Sequence, residues 1–159
     1  MVPDEVVAYG REVAASRQEV LGDDLIGAYY VGSIALGGYV AGESDLNVVA
    51  VSERSIPDRE KPSLADAVFD TKVSCPARGL EFTLYRREVA ASSPVAADFE
   101  VNVNGGPRMA RAIHLEPRAE PGFCTSSIAP SLTDAAWSSA VRRQPRRSRR
   151  CLAGSYSTR

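Results

Sequence analysis

Two short apolar runs joined by a glycine-rich loop constrain this chain more than any other feature. Leu25-Ile26-Gly27-Ala28-Tyr29-Tyr30-Val31 stops at Gly32-Ser33, and Asp45-Leu46-Asn47-Val48-Val49-Ala50-Val51 begins beyond Gly42-Glu43-Ser44. Runs of this length are far below a membrane span and suit buried strands. Side chains two apart on a strand share a face, so Asp45 and Asn47 place two oxygen ligands side by side. Gly32-Ser33 and the small-residue stretch Ile34-Ala35-Leu36-Gly37-Gly38-Tyr39 predict a turn and a short helix. Glycine lets backbone approach a polyphosphate closely, and a helix start favours anions. Magnesium takes one or two carboxylates and completes its shell with water and substrate phosphates. Asp45 and Asn47 also suit a plain turn in which each bonds its own backbone. The Gly-Ser step ahead of them favours a phosphate and metal site.

The flanking text predicts an α/β domain. Residues 4–21 read as an amphipathic helix capped by Asp4, with Val6, Tyr9, Val13 and Val20 on one face and Gly22 closing it. Residues 54–63 are charged, contain two prolines and read as a loop; residues 63–74 predict a helix with Leu64, Ala67 and Val68 inward. Strands are expected over 80–85 and over 99–104, the second running into a Gly105-Gly106-Pro107 turn. The chain has 159 residues, 44% hydrophobic and 25% charged, enough apolar material for one packed core. Acids at Asp4 and Glu5 do not suit a signal peptide. Cys75, Cys124 and Cys151 form neither a disulfide framework nor a zinc motif. A cytoplasmic protein with no membrane segment is expected. Cys75, beside Pro76, reads as a packing residue, and His114, the lone histidine, as structural or exposed. Neither a Ser/His/Asp arrangement nor a Walker motif is present.

Charge divides the chain. Residues 1–123 carry 12 Arg and Lys against 19 Asp and Glu, whereas residues 124–159 carry seven Arg and eight Ser with one Asp, no Lys and no Glu. The step predicts a domain over 1–123 and an irregular Arg/Ser-rich tail over 124–159, either disordered or translated out of frame. A nucleic-acid-binding arm is the less favoured reading.

Gly32-Ser33, Asp45-x-Asn47 and Glu81 in Arg78-Gly79-Leu80-Glu81-Phe82-Thr83-Leu84 together resemble the nucleotidyltransferase superfamily related to DNA polymerase β. Within it, the chain is similar to the bacterial aminoglycoside nucleotidyltransferases (adenylyltransferases). The likeness covers residues 5–123, including Phe99 to Met109. Asn47 departs from that family's second aspartate. The resemblance implies a nucleotidyltransferase fold, a small mixed β-sheet with helices chiefly on one face. It implies transfer of AMP or another nucleoside monophosphate from a Mg²⁺-bound triphosphate, usually ATP, to a hydroxyl of a small aminoglycoside-like acceptor, and so a link to antibiotic resistance. Gly32 and Ser33 would bind the nucleotide, Asp45 and Asn47 the metal, and Glu81 would be the base. That family's acceptor-holding helical domain has no counterpart in the pattern after residue 123. A degenerate, non-catalytic nucleotide-binding remnant is one alternative; transfer to a protein partner is another, weakened by Asn47.

Overall fold

The computed structural model describes residues 2–92 and 98–116. The expected 123/124 boundary, the tail, Cys124 and Cys151 lie outside the described residues. Helix α1 (Asp4–Leu21) leads through a 3-10 turn (Gly22–Asp24) into β1 (Leu25–Val31). There follow β2 (Leu46–Ser52), α2 (Lys61–Ala67), β3 (Leu80–Arg86), α3 (Arg87–Ser92), β4 (Val101–Gly106) and β5 (Met109–His114). The strands form one mixed sheet in chain order. β2 and β3 are parallel and every other neighbouring pair is antiparallel.

This is a mixed α/β fold with α1 and α2 on one face of the sheet. Leu46, Val48 and Ala50 of β2, Leu80, Phe82 and Leu84 of β3, and Val101 and Val103 of β4 pack there against Val6, Tyr9 and Val13 of α1 and Leu64 and Ala65 of α2. Each side chain of Leu or Phe size removed from water there contributes about 1.5–3 kcal/mol. Val31, Val49, Val51 and Tyr85 face the other way and meet Val89 of α3 and Phe99. The central strands are thus covered on both faces over their C-terminal halves, which explains their near-continuous apolar text. Among the described residues no helix is long and apolar enough to cross a membrane.

Several expectations are corrected. Asp4 is the first residue of α1; the cap position is Pro3, whose ring fixes an extended φ but offers no side-chain bond. Val20 is exposed, and its place on the inner face is taken by Arg17 and Leu21. Arg17 is fully buried: Nη2 donates to the Ala67 carbonyl at the end of α2 and to Ser16 Oγ, and the guanidinium lies 5.2 Å from the Phe82 ring centre. Helix α2 starts earlier than expected because Pro62 sits in its first turn, where a missing N–H costs nothing. Gly105 and Gly106 are the last residues of β4, and a register shift there leads into β5. Cys75 packs against the main core, and His114 is half-buried in β5 opposite Asn102.

Candidate active site

The end of β1, the starts of β2 and β3 and the end of β4 meet at one edge of the molecule. Val31 pairs with Asn47, Asn47 with Glu81, and Glu81 with Asn104. Cross-strand partners share a face, so these residues form a row across the sheet on the side away from α1 and α2. A second row, one step along, runs from Val49 through Thr83 and Asn102 to His114. Toward α3 this face is apolar; toward the strand starts it is polar.

Gly32 turns the chain out of β1 with φ +66, a left-handed conformation that L side chains disfavour. A Cβ at this position would lie 3.3 Å from Asn47 Nδ2, so glycine also lets the turn sit against Asn47. Ser33 follows, half-buried. The amides of Leu36 and Gly38 donate to the carbonyls of Gly32 and Ser33 at 3.1 and 2.8 Å, closing a single turn. Gly37, at φ +76, ends it, so the short helix expected over 34–39 does not extend beyond that turn. Buried Ile34 anchors the turn to the core.

Asp45 lies one residue before β2, not inside it. Its position is fixed from both sides: the Ser44 carbonyl accepts from the Arg78 amide at 3.1 Å, and the Leu46 amide donates to the Gly79 carbonyl at 2.9 Å. Asp45 Oδ1 accepts from Asn47 Nδ2 at 3.3 Å. The structure therefore brings Gly32, Asp45, Asn47 and Glu81 together, with Ser33 beside them. Glu81 titrates above its ordinary value, chiefly because it is buried and secondarily because Asp45 is a nearby like charge; a hydrogen bond from Asn102 acts in the opposite direction. The Tyr85 hydroxyl is pushed up to about 12, first by burial and then by the Glu81 charge.

Sequence reasoning passed over Thr83, Asn102 and Asn104. Asn102 Nδ2 donates to Thr83 Oγ1 at 2.9 Å, and Asn104 Nδ2 donates to Asn102 Oδ1 at 3.2 Å. Their signal was two asparagines on the same face of a strictly alternating strand, a residue type that strands disfavour.

Among the described residues no group of three or more His, Cys, Asp or Glu side chains could hold a metal ion by itself. A closed protein cage is thus not what these residues make. Asp45 and Glu81 on one face fit an ion that takes most of its oxygens from water and phosphate. Asn47 presents its amide nitrogen, not its oxygen, to Asp45.

No family model matches the chain, and no curated protein matches it. Among solved structures, a spectinomycin adenyltransferase from Enterococcus faecialis, determined with ATP and spectinomycin, is similar at a TM-score of 0.48 and 20% identity. The likeness covers 62% of this chain and 40% of that one, so the chain spans well under half the length of that protein.

Proposed function

We propose that the domain over residues 1–123 transfers a nucleoside monophosphate, AMP in the first instance, from a magnesium-bound triphosphate to a hydroxyl of a small, aminoglycoside-like acceptor. The observation that carries this reading is the convergence of a left-handed Gly-Ser turn, the Asp45–Asn47 pair and a half-buried, charge-perturbed Glu81 on one face of the sheet. A carboxylate of raised pKa beside a glycine turn is what such chemistry needs. Gly32 and Ser33 would hold the triphosphate through N–H groups and a hydroxyl. Asp45 would ligate magnesium, and Asn47 would join it by turning its carbonyl oxygen toward the ion. Magnesium supplies charge neutralisation and orientation of the triphosphate. Glu81 would take the proton of the acceptor hydroxyl as its oxygen forms the new bond to the α-phosphorus. The bond from that phosphorus to the bridging oxygen then breaks and pyrophosphate departs. Burial raises the basicity of Glu81, which suits a base.

One observation favours a second reading, a nucleotide-binding remnant without turnover: the Asn47 amide nitrogen faces Asp45, where the resembled family carries a second carboxylate. The full chain, incubated with ATP, Mg²⁺ and a panel of aminoglycosides, decides by pyrophosphate release. Glu81→Gln is expected to lower turnover by about 10²–10⁴-fold with ATP binding intact. Asp45→Asn should weaken Mg·ATP binding itself. Asn47→Asp should raise Mg²⁺ affinity and turnover by roughly 10–1,000-fold. Binding without transfer, in wild type and Asn47→Asp alike, establishes the remnant. A wild type that binds no Mg·ATP refutes both readings.

A further inference from the structure

Met109 is a large apolar side chain that, among the described residues, joins neither of the two core clusters. It is half-buried, and what it lies against is bare backbone. A Cβ added at Gly79 would stand 2.6 Å from Met109 Cβ and 3.1 Å from its Sδ, so Met109 occupies the place where residue 79 would otherwise carry a side chain. Gly79 still belongs to the strand ladder, because its carbonyl accepts from the Leu46 amide at 2.9 Å. Leu80 points into the helix-covered core, so position 79 faces the other way, as Glu81 does. The Met109 side chain therefore lies on the Glu81 face, over a residue two positions, or about 7 Å, short of Glu81. Backbone puts it there. Met109 pairs with Gly106, where a Cβ would run into Gly79 Cα, so the hairpin comes this close only because both residues are glycine. The Arg108 amide donates to the Arg78 carbonyl at 2.9 Å and ties the same hairpin to the stretch leading into β3.

We propose that Met109 is a specificity-determining residue: it forms the apolar wall of the acceptor subsite and selects an acceptor that presents the C–H face of a saturated ring beside its reacting hydroxyl. The proposal rests on reading Glu81 as the base. The strand order lays the parts out in a row. The Gly32 turn closes β1, Asp45 and Asn47 stand at the start of β2, Glu81 stands in β3, and Met109 reaches in from β5 across β4. A hydroxyl that attacks phosphorus in line enters opposite the departing pyrophosphate. With the triphosphate at the Gly32 turn, the acceptor belongs on the far side of Glu81, the side from which Met109 comes. A thioether on an unbranched stem is polarizable and adaptable, which suits contact with a ring surface and offers no hydrogen bond to compete with Glu81 for the hydroxyl.

The chain holds two methionines, Met1 and Met109, so methyl-¹³C labelling of methionine in the full chain gives two NMR signals, of which Met109→Leu removes one. In wild type, Mg²⁺ with a non-transferable ATP analogue should leave the Met109 methyl nearly in place, and adding the aminoglycoside that the enzyme modifies should shift it. This readout needs no folded variant. In turnover, Met109→Gln keeps the length of the side chain and makes its end polar; it should raise KM for the acceptor by about 10-fold, with kcat and KM for ATP unchanged. Met109→Leu, which restores an apolar wall, should recover most of that loss. A Met109 methyl that follows the ATP analogue and ignores the acceptor, or an acceptor KM unchanged in Met109→Gln, overturns this proposal and leaves Glu81 standing as the base. A wild type that transfers no nucleotide to any acceptor overturns the reading of Glu81 as base, and this proposal with it.

Discussion

Replacing Gly32 by alanine tests the geometry of the site without reference to any activity. Two separate costs are expected. The backbone cost comes from holding an L residue at φ +66, about 1–2 kcal/mol. The packing cost comes from a Cβ placed 3.3 Å from Asn47 Nδ2, which makes the Asn47 side chain give way by a few tenths of an ångström, about 0.5–1.5 kcal/mol if the shift is taken up in its torsions. Together they come to about 1.5–3.5 kcal/mol. At about 5 °C per kcal/mol for a domain near 100 residues, the melting temperature should fall by about 8–18 °C. A double-mutant cycle separates the two costs, because Asn47→Ala removes the obstacle and its own loss of the bond to Asp45 cancels in the cycle. The coupling between Gly32→Ala and Asn47→Ala should therefore match the packing cost, and the remainder should match the backbone cost. Gly32→Asn, which tolerates the left-handed region better, should recover part of the backbone cost and none of the packing cost. Urea unfolding of the four proteins of the cycle, without ligand, supplies the numbers. A Gly32→Ala variant as stable as wild type would mean the turn is not left-handed. Zero coupling would mean Asn47 does not lie against it, and the metal pair would lose its neighbour.

Two further perturbations follow from buried charge. Glu81 has its pKa raised by folding, so ionising it costs stability: the cost is absent below the ordinary carboxylate value of 4.5 and grows as pH rises through the raised value. Glu81→Gln should thus be more stable than wild type in urea at pH 7 and level with it at pH 4; a difference independent of pH refutes the assignment. Arg17 is fully buried, with Nε and Nη1 lacking hydrogen-bond partners, and burial lowers its pKa to about 10. Arg17→Met removes that desolvation at the cost of the bond to Ala67, so we expect stability between unchanged and about 2 kcal/mol higher. Arg17→Ala, which empties the same volume, should lose about 2–4 kcal/mol; thermal melts of both decide, and a large loss in Arg17→Met refutes the account.

The sequence made α1 and β1 legible to the residue, Asp4–Leu21 and Leu25–Val31, because α1 has a helical period, β1 is a bounded apolar run, and a glycine follows each. What it left out was decided by tertiary contacts. β5 (Met109–His114) holds two Ala, one Arg and one His, with Ile113 its one β-branched residue; it is a strand because the β4 hairpin offers it a paired edge. α3 follows β3 with no loop residue between them, and Val89 and Ala90, packed in the cluster of Val51 and Tyr85, give it its place. α2 ends at Ala67, far short of residue 74, where Arg17 from another helix takes its last carbonyl. In the site, Gly32, Asp45, Asn47 and Glu81 could be picked out by spacing, but no spacing could show that β2 and β3 set Asn47 directly opposite Glu81.

The two faces of the sheet differ in a way that packing alone does not require. On the face under α1 and α2, β2, β3 and β4 present apolar side chains to the core, with polar Ser52 and Arg86 only at the far ends of β2 and β3. On the other face the same strands present Asn47, Glu81, Thr83, Asn102 and Asn104, while Val49, Val51 and Tyr85 serve as core a few residues further along. A fold that needed only stability would continue the apolar surface to the strand starts, since each buried polar group must be offset by a hydrogen bond merely to break even. Here the bonds are made among the polar groups themselves, Asn104 to Asn102 to Thr83 and Asn47 to Asp45, and they leave a half-buried carboxylate, Glu81, next to a second acid. Two acids held close without a cation oppose folding at neutral pH, and a cation bound between or beside them reverses the sign of that interaction. On the function proposed above, the cost at Glu81 falls where a magnesium-bound triphosphate would relieve it, which is what a site arranged for a ligand rather than for the stability of the chain requires.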